Sequence, residues 1–298
     1  MRTLITIFSL ILFFSLWPLS AMDSHSTTGT FAGSNNGIIA TRADSLVFDE
    51  IMHQLVRSLV PSEGVGRRMV AAGTAFLGTP YVASTLEAEG DERLTVNMHG
   101  VDCTTFVEYV AAISITSMRR AYSFDAFARE LTSLRYRGGV IDGYASRLHY
   151  FTNWLKDNER KGYLTLISDR VGNAPMDTLV NFMTSNPQHY RQLNDDPSYL
   201  ESIAAIEKSM AGYKMRYITK DNIEEVASYI QDGDIIAFVT TIEGLDVSHT
   251  GLAIHQNDRL HLLHASTRSM EVEITDKPLS EYLEGSNNVS GILVARIG

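Results

Sequence analysis

Cysteine is almost absent from this 298-residue sequence: Cys103 stands alone, which excludes an internal disulfide and any cysteine-rich metal site. Cationic residues are scarce as well. Lys and Arg total 25 against 35 Asp and Glu, and the net charge of -10 argues against a surface that recruits nucleic acid or an anionic membrane. Beyond the N-terminus no apolar run is long enough to span a membrane, and no internal repeat is present. With 44% hydrophobic residues the chain still has enough apolar material for a large globular core.

The one strongly apolar run, residues 4–17, follows Met1-Arg2 and precedes Pro18-Leu19-Ser20-Ala21. Charged, apolar and small-residue regions in that order read as a secretory signal peptide, residues 1–21, cleaved after Ala21. The run is shorter than the roughly 20 residues of a spanning helix, so an exported, periplasmic chain with no stable membrane anchor is expected. No cysteine follows the run, which rules out acylation at a lipoprotein cysteine. Residues 22–45, dense in Ser, Thr, Gly, Asn and Asp, read as a flexible leader.

From there the periodicity is helical. Residues 46–60 place Phe48, Ile51, Met52, Leu55, Val56 and Leu59 on one face and stop at Pro61. Ser62 is positioned to cap a second helix carrying Val65, Met69, Ala72 and Phe76, with Gly78 as its stop. A third covers 104–120, with Asp102 as N-cap. Further helices are expected at 123–134, 144–155, 176–183, 197–210 and 221–230. After Gly233 the pattern changes to strands, at 234–240, 248–255, 259–266, 270–275 and 289–297. Helices first and strands afterwards indicate an α+β fold, with the Cys103 helix packed on an antiparallel sheet.

Cys103 falls in the first turn of its helix, where unpaired N–H groups and the helix dipole favour thiolate and lower the thiol pKa. The same turn offers a backbone N–H to an oxyanion. The plain alternative is an inert buried cysteine, but an exported chain that keeps one thiol risks its oxidation, which favours a chemical role. His249 and His264 lie on adjacent expected strands and would stand side by side, about 5 Å between Cβ atoms, as base and orienting group. Alternatively each is a half-buried histidine bonded to a backbone carbonyl. His255 sits at a strand end, His261 faces the other side, and His99 is a rival base on a loop, read as solvent-exposed or substrate-contacting. One cysteine and scattered histidines give no zinc-ligand spacing, so neither metal nor other cofactor is expected.

The motifs Gly78-Thr79-Pro80-Tyr81, Asp102-Cys103-Thr104-Thr105-Phe106, Gly233-Asp234, Ser248-His249-Thr250-Gly251 and His264-Ala265-Ser266, in this order, resemble the NlpC/P60 superfamily of papain-like cell-wall hydrolases. Within it they are most similar to the N-acetylmuramoyl-L-alanine amidase-like branch known as DUF1460. The resemblance covers nearly all of residues 46–298 and implies one papain-like cysteine amidase domain. Nucleophile and base stand 146 positions apart (249 minus 103), which implies a helical insertion at about 121–220 relative to compact members.

The resemblance also implies roles: Cys103 as nucleophile, His249 as base, His264 as orienting third residue, and Tyr81 as a substrate-binding, carbonyl-polarising group. Asp102 and Ser248, which flank the nucleophile and the base, join Tyr81 as candidate oxyanion or substrate-binding residues. Ala83-Ser84 replace the usual glycine pair after the tyrosine. Arg147 and Tyr150 belong to a stretch, 147–154, whose composition suits a sugar and an anionic stem peptide; the alternative is an amphipathic helix with Phe151 and Leu155 in the core. The implied activity is hydrolysis of the amide between the lactyl group of N-acetylmuramic acid and L-alanine in soluble muropeptides, by a monomer, through an acyl-enzyme. A γ-D-glutamyl-diamino-acid endopeptidase and a non-catalytic muropeptide-binding protein are the alternatives.

Overall fold

The computed structural model describes residues 37–59 and 63–298; the expected signal peptide, most of the leader, Pro61 and Ser62 lie outside the described residues. Helix α1 (Arg42–Ser58) begins before its apolar face does, because Thr41 and Asp44 form a capping box that satisfies its first N–H groups. Residues 42–45, assigned to the leader by composition, are therefore helical. Helix α2 (Val65–Thr74) starts after Gly64 with no side-chain cap. Next comes α3 (Cys103–Met118), capped by Asp102 as expected. Every residue of α3 from 105 to 117 is buried, so this is an axial helix and not an amphipathic one.

The middle of the chain departs furthest from expectation. It runs α4 (Phe124–Arg135), α5 (Phe151–Arg160), β1 (Leu164–Leu166), α6 (Ser168–Val171), β2 (Ala174–Pro175), α7 (Phe182–Ser185), α8 (Arg191–Asp195), α9 (Pro197–Met210), β3 (Arg216–Thr219) and α10 (Ile223–Val226). The segment 121–220 is thus not wholly helical, since it contributes three strands. The helix expected from residue 144 begins at Phe151, because Tyr144–Ser146 forms a 3-10 turn and Arg147 is extended, bridged to Tyr136. Residues 176–181 are not helical: the Met176 N–H donates to the Met215 carbonyl and the Asn181 N–H to that of Gly244, so their backbone is bonded outward.

The strands β4 (Ile235–Thr240), β5 (Val247–Gln256), β6 (Arg259–Ser266) and β7 (Glu271–Ile274) follow, then α11 (Leu279–Glu284) and β8 (Val289–Ile297). All pairings are antiparallel, in the order β2-β3-β8-β4-β5-β6-β7, and β1 pairs with the C-terminal end of β8. Alternation along β4 divides the interior in two. Ile235, Ala237 and Val239 join α1 to α4 in one core, whereas Ile236 and Phe238 join Ile223, Leu279 and Leu283 on the opposite face. A third apolar cluster, including Tyr150, Met183, Ile203 and Met210, sits inside the middle segment. Helix α3 packs against α2, α4, β5 and β6, which sets its N-terminus against the strand pair bearing the two histidines.

Candidate active site

The chain before Cys103 is fixed from both sides. Asp44 of α1 accepts the Met98 N–H at 2.8 Å, and the Tyr109 hydroxyl of α3 accepts that of Asn97 at 2.9 Å. Tyr81 is held in the same layer: its N–H donates to the Met270 carbonyl at 2.8 Å, and Val82 N–H to the Val101 carbonyl at 3.0 Å. Asp102 Oδ1 accepts the Thr105 N–H at 2.7 Å, and the first helical bond runs from Phe106 N–H to the Asp102 carbonyl. The N–H groups of Cys103 and Thr104 accordingly have no acceptor within the helix. Asp102 serves as the helix cap, as expected.

Across from this turn, β5 carries a bulge. Phe238 pairs with His249 and Val239 with Val247, so Ser248 is the extra, half-buried residue. Thr250 reaches toward α3, and its hydroxyl donates to the Cys103 carbonyl at 2.8 Å. The Thr250 N–H and the Thr104 hydroxyl donate toward the sulfur, so the thiol lies beside the His249–Thr250 peptide.

His249 and His264 meet, though not as direct cross-strand neighbours. The β5–β6 ladder ends at Leu252 opposite Leu263, a register that sets His264 against Gly251 and His249 on the diagonal. Their rings still touch, with His249 Nε2 and His264 Nδ1 2.6 Å apart and the ring planes perpendicular. Gly251 makes this possible. A Cβ at that position would stand 2.9 Å from His264 Cβ and 2.9 Å from the Leu263 carbonyl oxygen, so any side chain displaces the His264 ring. His264 is 1% exposed and packs edge-on to Tyr282, and Phe238 lies under His249.

The sequence profile of the AmiA-like family, described as N-acetylmuramoyl-L-alanine amidase-like, matches residues 71–292. The chain belongs to that family. Among solved structures, this amidase-like chain is similar to a Bacteroides uniformis protein named an N-acetylmuramoyl-L-alanine amidase, with 40% identity and a TM-score of 0.76 over 78% of this chain and 98% of that one. A Bacteroides fragilis protein whose name proposes a xylanase has 38% identity and a TM-score of 0.74, covering 76% of this chain and 100% of its own. At 20% identity, a Legionella pneumophila protein of the DUF1460 family shares the fold, with a TM-score of 0.64 over 86% of this chain and 94% of that one. No curated protein matches.

Burial dominates the electrostatics of the amidase-like site. Desolvation, with the Asp102 carboxylate adding to it, pushes the Cys103 thiol up to about 11, against the hydroxyl and N–H donors that favour thiolate. The lowered thiol pKa expected from the helix N-terminus is therefore not found, because loss of hydration outweighs the dipole and the capping carboxylate opposes it. His249 is pushed down to about 4 by burial, and His264 to about 3 by burial, by His249 and by Arg268. The resting pair at neutral pH is a thiol and a neutral imidazole. Tyr81 is raised by burial and by the charges of Cys103 and Asp102, and it remains a hydroxyl donor.

Two residues expected to contact substrate are buried in the middle segment. Arg147 is 5% exposed, bonded to Glu87 at 2.7 Å and to the Leu86 carbonyl, with its guanidinium over Tyr144. Tyr150 is 3% exposed, donates to Glu207 at 2.7 Å and accepts the Met183 N–H at 2.9 Å. Both belong to buried networks, since a buried charge or hydroxyl requires a partner. Of the other histidines, His99 is exposed, His255 bonds Asp232 at 2.7 Å, and His261 bonds the Thr275 carbonyl. Asp234 of the Gly233-Asp234 motif is buried in a two-point contact with Arg296 of β8 and so joins strands. Sequence reasoning had no role for Thr250, for the room at Gly251, or for Glu273, whose Oε1 stands 3.7 Å from His264 Nε2. The last was within reach, because counting back through the β6–β7 turn sets Glu273 opposite His264.

Proposed function

We propose that this protein is a cysteine amidase that hydrolyses the N-acetylmuramoyl-L-alanine bond of muropeptides. The observation that carries the reading is the 2.6 Å imidazole pair, with His249 on the strand whose Thr250 bonds the carbonyl of Cys103, the only thiol of the chain, within an amidase-like family. Cys103 attacks the lactyl carbonyl carbon as its proton passes to His249, so the reactive thiolate forms during the attack and is not stored beforehand. The Cys103 N–H and the Tyr81 hydroxyl stabilise the tetrahedral oxyanion. When the C–N bond breaks, His249 returns the proton to the departing alanine amine and leaves a thioester. Water, deprotonated by His249, then releases the lactyl carboxylate and restores the thiol. A glycosidase needs two carboxylates facing the glycosidic bond, whereas here Asp102 is engaged as the cap of α3 and Glu273 stands behind His264. That difference favours the amidase over the xylanase reading.

In this proposal the domain is of papain-like, NlpC/P60 type and acts as an exported monomer in the periplasm, with the apolar residues 4–17 as the support for export. The decisive experiment incubates residues 22–298 with a soluble muropeptide of sugar plus stem and weighs the products. Free muramic-acid sugar and an intact stem starting at L-alanine are expected. Release of sugar-L-Ala-D-Glu would replace the amidase with an endopeptidase, and binding without cleavage would make the protein a muropeptide receptor.

A further inference from the structure

The short contact between the two imidazoles admits only two proton arrangements, and one of them disables the proposed base. Both rings are neutral at pH 7, so each carries one proton, and across the 2.6 Å contact one nitrogen donates while the other accepts. In the first arrangement His249 holds its proton on Nε2 and donates to His264 Nδ1. This leaves a lone pair on His249 Nδ1 and a proton on His264 Nε2. In the second, His264 donates from Nδ1, so His249 carries its proton on Nδ1 and has no lone pair there for the thiol.

The far nitrogen, His264 Nε2, discriminates between them. It is buried and has no hydrogen-bond partner among the described residues, and an unsatisfied buried polar group is costly. The charged atom facing it is Glu273 Oε1, at 3.7 Å, on the strand position directly opposite. The Glu273 side chain has no other hydrogen bond or ion pair among those described. The remaining neighbours of the ring are His249, the edge of Tyr282, and Arg268 stacked over Tyr282. In the first arrangement an N–H points at the carboxylate. In the second, a lone pair points at an anion, and although the Glu273 side chain is only half-buried, that arrangement is the less favourable of the two.

We infer that Glu273 is a positioning residue that fixes the tautomers of the histidine pair and so keeps His249 Nδ1 free to take the Cys103 proton. This rests on the proposed roles of Cys103 and His249. At 3.7 Å the contact is longer than a hydrogen bond, so in the resting enzyme Glu273 acts by charge. When His249 gains the thiol proton, the positive charge spread through the pair draws the carboxylate closer, and stabilisation grows as the transition state is approached.

The test combines turnover with a measurement that needs none. In the full chain labelled with 15N-histidine, long-range proton–nitrogen NMR at pH 7 is expected to show His249 and His264 both protonated at Nε2. Glu273→Leu should introduce the Nδ1–H form at both rings and lower kcat by roughly 10- to 100-fold with KM within about twofold. Glu273→Gln keeps the shape without the charge, so it should show much the same losses, whereas Glu273→Asp, which keeps the charge, should recover part of both. The inference is overturned if wild-type His264 is protonated at Nδ1, or if Glu273→Leu leaves the tautomers unchanged, whatever happens to kcat. Separately, retention of turnover by His249→Ala would remove the proposed catalytic roles while leaving the tautomer measurement to judge Glu273 by itself.

Discussion

The region built from α3 and strands β4 to β6 is buried along most of its length, the region between α4 and β3 only at scattered positions, and the two are held by different means. In the first, side chains such as Phe106, Val110, Leu252 and Leu263 pack around small hydroxyls and the two imidazoles, and the one buried carboxylate, Glu108, is paired with Arg135 of α4 at 2.7 Å. In the second, carboxylates do much of the joining. Glu87 and Glu92 hold Arg147, Glu207 gathers Tyr150 and Thr184, and Asp246 accepts both the N–H and the hydroxyl of Thr152. Apolar packing is non-directional and leaves α3 free to be positioned by its caps, whereas buried hydrogen bonds dictate one arrangement and fail abruptly when a partner is lost. The proposed chemistry therefore sits on the apolar side, and the polar side acts as scaffold.

The contrast is broken most directly at the thiol. Cys103→Ala and His249→Ala are each expected to lower turnover by about 10³-fold or more while the circular dichroism spectrum stays native. Activity within tenfold of wild type in either variant would strip the apolar region of its chemistry.

A second measurement uses the electrostatics of that region. With the thiol pushed up to about 11, alkylation of Cys103 by iodoacetamide should be slow at pH 7 and rise about tenfold per pH unit toward 11. Fast labelling at neutral pH would show that a partner stabilises the thiolate. Histidines of both regions, His149, His249 and His264, have folded-state pKa values of about 3, 4 and 3, below their ordinary 6.5. The unfolded chain therefore takes up their protons first, and their contribution to stability, complete above pH 6.5, is lost as pH falls from there toward 4. Thermal melts across that window should show a decreasing Tm, and a flat profile would mean that the rings protonate without cost.

On the polar side the expected losses are in stability. Arg147→Leu leaves Glu87 and Glu92 without their partner and should cost about 3 kcal/mol in a denaturant titration, with KM within about twofold. A large rise in KM with stability intact would return Arg147 to the substrate site. Tyr150→Phe removes one hydroxyl that both donates and accepts, and should cost about 1 to 3 kcal/mol.

The same contrast explains what the sequence disclosed. Strands 259–266 and 289–297 and the helix 197–210 match the structure at both ends, because long β-rich runs and a cap followed by proline are local signals. Strands β1 and β3, of three and four residues, are too short to display a period, and their existence depends on the edge that β8 offers. Arg147 and Tyr150 resembled binding residues because their partners, Glu87 and Glu207, are 60 and 57 positions away. At the candidate site the residue types and the cap at Asp102 were legible. The sign of the thiol shift was not, since helix position can be read from sequence and desolvation cannot.

Strand β8 comes last of the eight in chain order yet lies inside the sheet, with β4 along one edge and β1 and β3 sharing the other. During synthesis the ribosome delivers β3 and β4 with a vacant place between them, and no hairpin can close it. Until residues 289–297 emerge, the backbone edge of β4 stays unpaired and open to association with other chains. Assembly of this sheet is therefore a non-local event, and the nascent chain is at its most vulnerable to aggregation between the emergence of β4 and that of β8.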